Sequence, residues 1–178
     1  MIYVFLADGF EECEALIPID ILLRAGFNVK TVGVTSKNVK SSHGIEITAD
    51  ITEKEVTTDN LECIILPGGM PGTINLEKSK MVQDIVHYAF SKDIIIAAIC
   101  AAPSILGHKG LLKNKNATCY DGFEQTLIDA NFTGKSVEIA DNIITACGVG
   151  AAFPFGFAVL SKLKGENFTD KIKKQMKY

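Results

Sequence analysis

A cysteine at the end of an apolar run and a glutamate at the head of a helix are the residues best placed for covalent chemistry. Cys100 follows Asp93-Ile94-Ile95-Ile96-Ala97-Ala98-Ile99, a continuous segment of β-branched and small residues. Such a run reads as a parallel strand buried on both faces. Ala101-Ala102-Pro103-Ser104-Ile105-Leu106 come next, with Pro103 placed to open a helix. A sulfur on that strand-to-helix turn meets the positive end of the helix dipole, which favours thiolate over thiol. The alanines at 97, 98, 101 and 102 leave room for a sharp turn and for a substrate. This is the nucleophile-elbow arrangement, with sulfur in place of a serine oxygen. A free cysteine is also a common small hydrophobe of protein cores, and the local context leaves the two readings level.

Glu11, Glu12 and Glu14 cluster ahead of the first helical stripe. Dipole complementarity accounts for Glu11 and Glu12. Glu14 sits beside Ala15-Leu16 at the start of the apolar stripe, where a packed core raises a carboxyl pKa and lets it donate a proton to a neighbouring thiolate. Pro67-Gly68-Gly69 follows a short apolar run, and two successive glycines let backbone amides point at a developing oxyanion. An ordinary glycine-rich turn explains the same residues equally well. Gly148-Val149-Gly150 lacks the third glycine of a dinucleotide fingerprint and stands near the C-terminal end, so nucleotide binding is not expected.

No histidine is well placed as a base. His87 lies in a predicted helix remote from the reactive strand ends, and His108 is about two helical turns beyond Cys100. His43 occupies a predicted hairpin tip and could approach only from a partner subunit. Tyr120, at the end of a predicted strand, is the better polar candidate, although an interfacial aromatic with a wet hydroxyl accounts for it too. Cys119 and Cys147 end strands facing the same edge, so either could act as a resolving thiol. Together with Cys13 and Cys63 they otherwise read as apolar packing residues.

The elements that must position these groups alternate. Strands are expected at Ile2–Ala7, Asn28–Val34, Cys63–Leu66, Asp93–Ile99, Ala117–Tyr120, Val137–Ala140 and Ile143–Cys147, with a small hairpin joining Asn38–Lys40 to Ile45–Thr48. Helices are expected at Glu14–Ala25, Met81–Ser91, from Pro103 onward, and at Phe123–Ala130, Ala151–Leu163 and Thr169–Met176. Alternation of this kind implies an α/β sandwich with a mostly parallel sheet covered on both faces, and chemistry outside the carboxyl ends of its strands. With 178 residues and no linker or repeat, residues 1–178 are expected to form a single domain.

Nearly half the residues are apolar, which excludes a disordered chain. A net charge of −3 with no basic stripe argues against nucleic acid as a partner. No apolar stretch approaches a membrane span of about 20 residues, and Met1–Ala7 reads as a core strand rather than a signal peptide. Five scattered cysteines without metal-ligand or CxxC spacing suit free thiols in a reducing cytoplasm.

Three motifs in order carry a family resemblance: Gly9-Phe10-Glu11-Glu12-Cys13-Glu14-Ala15-Leu16-Ile17-Pro18-Ile19-Asp20, then Leu66-Pro67-Gly68-Gly69, then Ala97-Ala98-Ile99-Cys100-Ala101-Ala102-Pro103. The chain resembles the ThiJ/PfpI superfamily over nearly its whole length. It is most similar to the branch of the human Parkinson-disease protein seven, the DJ-one branch. The resemblance implies a flavodoxin-like three-layer sandwich, a homodimer, and a reactive Cys100 hydrogen-bonded to a protonated Glu14. It also implies an oxyanion site made by the amides of Gly69 and Ala101, in a pocket with Gly68 and Tyr120. Members are described as glyoxalases, protein deglycases, redox sensors and chaperones. The protease-like branch has histidine after its cysteine where this chain has Ala101. Tyr120 stands where the human-type branch has a histidine, and Cys147 where it has an arginine.

These features imply a cysteine-dependent enzyme acting on small α-oxoaldehydes or their protein adducts, in which Cys100 attacks the aldehyde and Glu14 shuttles protons. Such chemistry needs no cofactor and no metal. The alternative is a redox-responsive stress protein or chaperone sensing oxidation at Cys100 without turnover. An amidase is weakest, because no histidine is in reach to protonate a leaving amine.

Overall fold

The computed structural model describes residues 1–178. Short runs rich in isoleucine and valine form its strands, and longer amphipathic stretches form the helices that cover them. In chain order these are β1 (Ile2–Leu6), α1 (Glu12–Arg24), β2 (Val29–Gly33), β3 (Asn38–Lys40), β4 (Glu46–Thr48), β5 (Ile51–Thr52) and β6 (Cys63–Leu66). There follow α2 (Gly72–Lys78), α3 (Lys80–Ser91), β7 (Ile95–Ile99), α4 (Pro103–His108), β8 (Asn116–Ala117) and β9 (Asn131–Phe132). The chain closes with β10 (Val137–Ala140), β11 (Ile143–Ala146), α5 (Ala152–Lys164) and α6 (Glu166–Met176).

Seven strands form one sheet in the order β10-β11-β7-β6-β1-β2-β5. All neighbours are parallel except β10, which returns antiparallel to β11 through Asp141. Period-two alternation sends successive strand residues to opposite faces. Ile2, Val4 and Leu6 join one core with Leu22 of α1 and Phe155 of α5, while Tyr3 and Phe5 join the other with Val82 of α3 and Ile105 of α4. Two buried cores on one sheet make three layers, as the alternation of elements implies. Helices α1 and α5 cross closely because α5 presents Gly156, where an added Cβ would lie 2.6 Å from Ile21 Cδ1.

Three sequence expectations need correction. Phe123–Ala130 is not a helix but a single 3-10 turn at Glu124–Thr126, because Asp129 turns left-handed and Asn131–Phe132 is drawn into pairing with β8. The strand expected at Ala117–Tyr120 stops at Ala117. Beyond it, the Thr118 amide donates to Thr145 Oγ1 and the Tyr120 amide to the Cys100 carbonyl, so the segment is laced down as a loop. The third correction is α2, unexpected after Pro71-Gly72, which is tied to the β1–α1 loop by Asn75 Nδ2 donating to the Asp8 carbonyl at 2.9 Å.

Candidate active site

β6, β1 and β7 lie side by side at the centre of the sheet, so the loops after them meet at one carboxyl edge. Glycines make that meeting possible. A Cβ on Gly9 would strike Pro71 Cδ at 2.4 Å, and one on Gly69 would strike the Glu11 amide nitrogen at 2.4 Å. The hairpin β3–β4 clamps the first loop from the other side. There the Gly9 amide donates to the Lys40 carbonyl at 2.8 Å and the Lys40 amide to Asp8 Oδ1 at 2.9 Å.

Cys100 sits at the tip of β7 with φ +65, a left-handed conformation that costs a non-glycine residue about 1–3 kcal/mol. Its neighbours hold it there. The Cys100 amide donates to the Ala146 carbonyl at 2.9 Å, and the Cys100 carbonyl accepts from the Tyr120 amide at 2.8 Å. The turn sets the sulfur beside the backbone amides of Ala101 and Gly69, which favour its charged form. Helix α4 begins only at Pro103 and has six residues, so these two amides, rather than a long helix, supply the positive potential at the sulfur.

Glu14 lies in the first turn of α1, which Glu11 caps by accepting the Glu14 amide on Oε2 at 2.7 Å. That turn points the Glu14 side chain inward, where it is 1% exposed. Its Oε2 accepts the Gly68 amide at 2.9 Å. Its Oε1 is buried with no hydrogen-bond partner, and the Cys100 thiol stands near enough to the carboxyl to act on its protonation. Burial, then the charge of Glu11, push Glu14 up to about 7, against the opposing pull of Cys100 and Gly68.

The thiol responds to the state of that carboxyl. Burial first, then the Glu14 charge and the hydrogen bond to it, push Cys100 up to about 12, while the Ala101 and Gly69 amides pull down. The acidification expected from the helix dipole is therefore outweighed while Glu14 is ionised. When Glu14 takes a proton its repulsion vanishes and it can act as a donor, so protonation of the carboxyl favours the thiolate, against the burial that still opposes it.

Gly68 has a different position from the one expected of an oxyanion donor, since its amide is engaged by Glu14. Its missing side chain is what matters: a Cβ there would lie 2.6 Å from Cys100 Cβ and 2.7 Å from Glu14 Oε2. Gly68→Ala is expected to destabilise the fold by about 1–3 kcal/mol through overpacking and to wedge thiol from carboxyl. Urea unfolding and a thiolate titration on the same variant check both effects.

Glu14 also gives stability a pH dependence. Its folded pKa, about 7, lies above the 4.5 of the free group. The folded state therefore holds a proton that the unfolded state has lost, and stability present below about pH 4.5 is lost as pH rises through 7. The difference corresponds to about 3 kcal/mol. Urea unfolding at pH 5 and pH 8 should show the wild type losing about that much, and Glu14→Gln losing little.

The other expected residues are distributed as follows. Tyr120 stands at the rim, 52% exposed, with its ring 3.2 Å from where a Cβ on Gly148 would be. His43 pairs with the first helix of its own chain, its Nδ1 lying 2.9 Å from Glu12 Oε1. Glu11, Glu12 and His43 bring ligand-type atoms within 4.8 Å of one another; Glu11 caps α1 and Glu12 Oε1 pairs with His43, while Glu12 Oε2 is buried without a hydrogen-bond partner. His108 binds Glu77 at 2.5 Å and links α4 to α2, and His87 is exposed on α3. The largest surface cavity, 630 Å³ between Glu53, Met81 and Tyr88, holds none of these groups, so volume does not mark the site. The Ala146 carbonyl, which anchors the elbow, has no sequence signal because any residue could supply it.

Comparison with known proteins gives one result in three ways. A family model described as the DJ-1/PfpI family matches residues 1–162. The Drosophila melanogaster protein dj-1beta is 33% identical over 175 residues, covering 96% of this chain and 93% of its own. A Caenorhabditis elegans protein named glutathione-independent glyoxalase DJR-1.2 is 29% identical over 168 residues, 93% of this chain and 89% of that one. Among solved structures, oxidized Toxoplasma gondii DJ-1 superposes with a TM-score of 0.94 at 30% identity, covering 99% of this chain and 97% of that one.

Proposed function

The chain belongs to the DJ-1/PfpI family and has its flavodoxin-like fold, and from that premise we propose that it converts small α-oxoaldehydes, or their adducts on proteins, through a Cys100 thiolate assisted by Glu14. One observation carries the proposal: a strained cysteine with two backbone amides beside its sulfur stands against a buried carboxyl held near pKa 7. The name of the Caenorhabditis elegans relative supports glyoxalase chemistry.

In the proposed reaction the Cys100 sulfur attacks the aldehyde carbon of methylglyoxal, and the amides of Gly69 and Ala101 face the site where negative charge is handled. Protonated Glu14 gives its proton to the hemithioacetal oxygen. The resulting carboxylate then takes the proton from C1, giving an enediol, and returns it to C2 while the proton on the C1 oxygen passes to the C2 oxygen, leaving a lactoyl thioester. Water cleaves the thioester to lactate and frees the thiol. A group with pKa near 7 accepts and releases protons at neutral pH with little driving force either way, which suits it to both roles. Gly68 lets carboxyl and sulfur stand together, and Tyr120 lines the mouth.

The test is lactate formation from methylglyoxal by the purified protein without glutathione or added metal, followed by NMR. Iodoacetamide should alkylate Cys100 ahead of Cys63 and Cys119, and turnover should fall in step with that labelling. Turnover that survives complete alkylation of Cys100 refutes the assignment.

No helix is long and apolar enough to cross a membrane. We further propose a homodimer, because α1 leaves Leu16 and Leu23 40% and 53% exposed. Sedimentation equilibrium at twice the 19.2 kDa chain mass tests it. The amidase reading is not supported, since His43 pairs with Glu12 and His108 with Glu77.

A further inference from the structure

A second sulfur beside Cys100 has no part in aldehyde chemistry. β7 and β11 run parallel and in register, with Ala97 opposite Ile144, Ala98 opposite Thr145 and Ile99 opposite Ala146. The Cys100 amide still donates to the Ala146 carbonyl at 2.9 Å, so the strands remain hydrogen-bonded where they end. The next residue on each is a cysteine, Cys100 on one and Cys147 on the other. Neighbouring strands lie about 4.8 Å apart, and a disulfide joins residues whose Cα atoms are about 4.4–6.8 Å apart.

The shared face and the access of both residues are compatible with that spacing. Cys100 and Cys147 pack against the same apolar core, the one beneath α1 and α5, and both are half-buried. Cys119 provides an internal contrast. It reaches the same region through Tyr120, yet it is 1% exposed and belongs to the core on the opposite face of the sheet. Cys63 lies at the other end of β6, opposite Ile95, and Cys13 is exposed on α1.

We propose that Cys147 is a resolving thiol for Cys100, closing a reversible disulfide across the ends of β7 and β11 when the site meets a hydroperoxide. The proposal rests on Cys100 being the reactive thiol. The Cys100 thiolate attacks the peroxide, an S–O bond forms, the O–O bond breaks and an alcohol or water leaves, giving a sulfenic acid. The Cys147 sulfur then attacks that sulfur. An S–S bond forms, the S–O bond breaks, and hydroxide leaves as water with the proton released by Cys147. Two thiols are oxidised by two electrons and one peroxide is reduced. Closure halts oxidation before the sulfinic acid, and a dithiol reductant reopens the site.

The experiment treats the reduced full-length protein with hydrogen peroxide at pH 7, alkylates the remaining thiols, and maps the peptides by mass spectrometry. The wild type should lose two alkylatable thiols, become lighter by two hydrogens and yield a Cys100–Cys147 linked peptide that dithiothreitol abolishes. Cys119→Ser should behave the same way. Cys147→Ser should instead carry sulfinic acid at Cys100, about tenfold or more above the wild type at equal peroxide. Equal sulfinic acid in both proteins with no linked peptide overturns the resolving role and leaves a reactive Cys100 standing. A Cys100–Cys119 link also overturns it. A Cys100 that peroxide does not touch overturns both this proposal and the thiolate on which it rests. The wild-type peptide map decides even if a variant fails to fold.

Discussion

Replacing Cys100 with serine is expected to lower lactate formation from methylglyoxal to the buffer background, a loss of about 10⁴-fold or more. Serine fits the same turn, so the elbow with φ +65, the amide bond to Ala146 and the bond from Tyr120 should all persist. What disappears is a nucleophile that Glu14 can help to ionise, since an alcohol in the same field stays protonated. The variant should keep the wild-type unfolding free energy in urea within about 0.5 kcal/mol, which separates a chemical defect from a folding one. Retention of more than about a tenth of the activity would place the nucleophile elsewhere.

Glu14 carries the second large effect, and two variants divide its roles. Glu14→Gln keeps an acceptor for the Gly68 amide and offers an N–H to the sulfur, but it cannot release a proton. Turnover should fall by about 10²-fold or more, while the thiol becomes more acidic than in the wild type because the carboxylate charge is gone. Glu14→Leu removes charge and donor together and leaves the buried Gly68 amide without its acceptor, a loss of about 1–3 kcal/mol. Burial then dominates at the sulfur, so its pKa should lie about one unit or more above that of Glu14→Gln. Ultraviolet titration of the thiolate in both variants measures the difference. Identical titration curves would show that the backbone amides alone set the acidity and that Glu14 has no part in it.

Much of this was legible in the chain. The run from Asp93 to Ile99 announces a buried strand because it is apolar on both faces, and Pro103 shows that a helix must follow at once. Strand, sharp turn and helix then place Cys100. Glu14 could be singled out as the acid that enters the apolar stripe. The pairing of the two was legible only through the family resemblance, because Gly68 decides it from another loop, as a gap that only the folded neighbours define. The opposing pushes on the Cys100 thiol, from burial and from the Glu14 charge, were not legible for a related reason, since spacing along the chain says nothing about what the folded neighbours bring to the sulfur. The short helix α2 and the lacing of Thr118 and Tyr120 escaped notice because tertiary hydrogen bonds create them where local propensity is weak.

The anchors of the elbow also fix when the reactive centre can exist. Glu14 lies near the start of the chain, Gly68 in its first half, and the carbonyl that receives the Cys100 amide belongs to Ala146. No early-formed fragment contains all three. β1 and β2 can pair around α1 as a local unit, but β7 gains its outer neighbour only when β11 is added. Contacts of such long sequence separation form late, after the entropy of the intervening loops has been overcome. A nascent or partly unfolded chain therefore carries Cys100 as an ordinary cysteine, and only completion of the sheet assembles the proposed site around it.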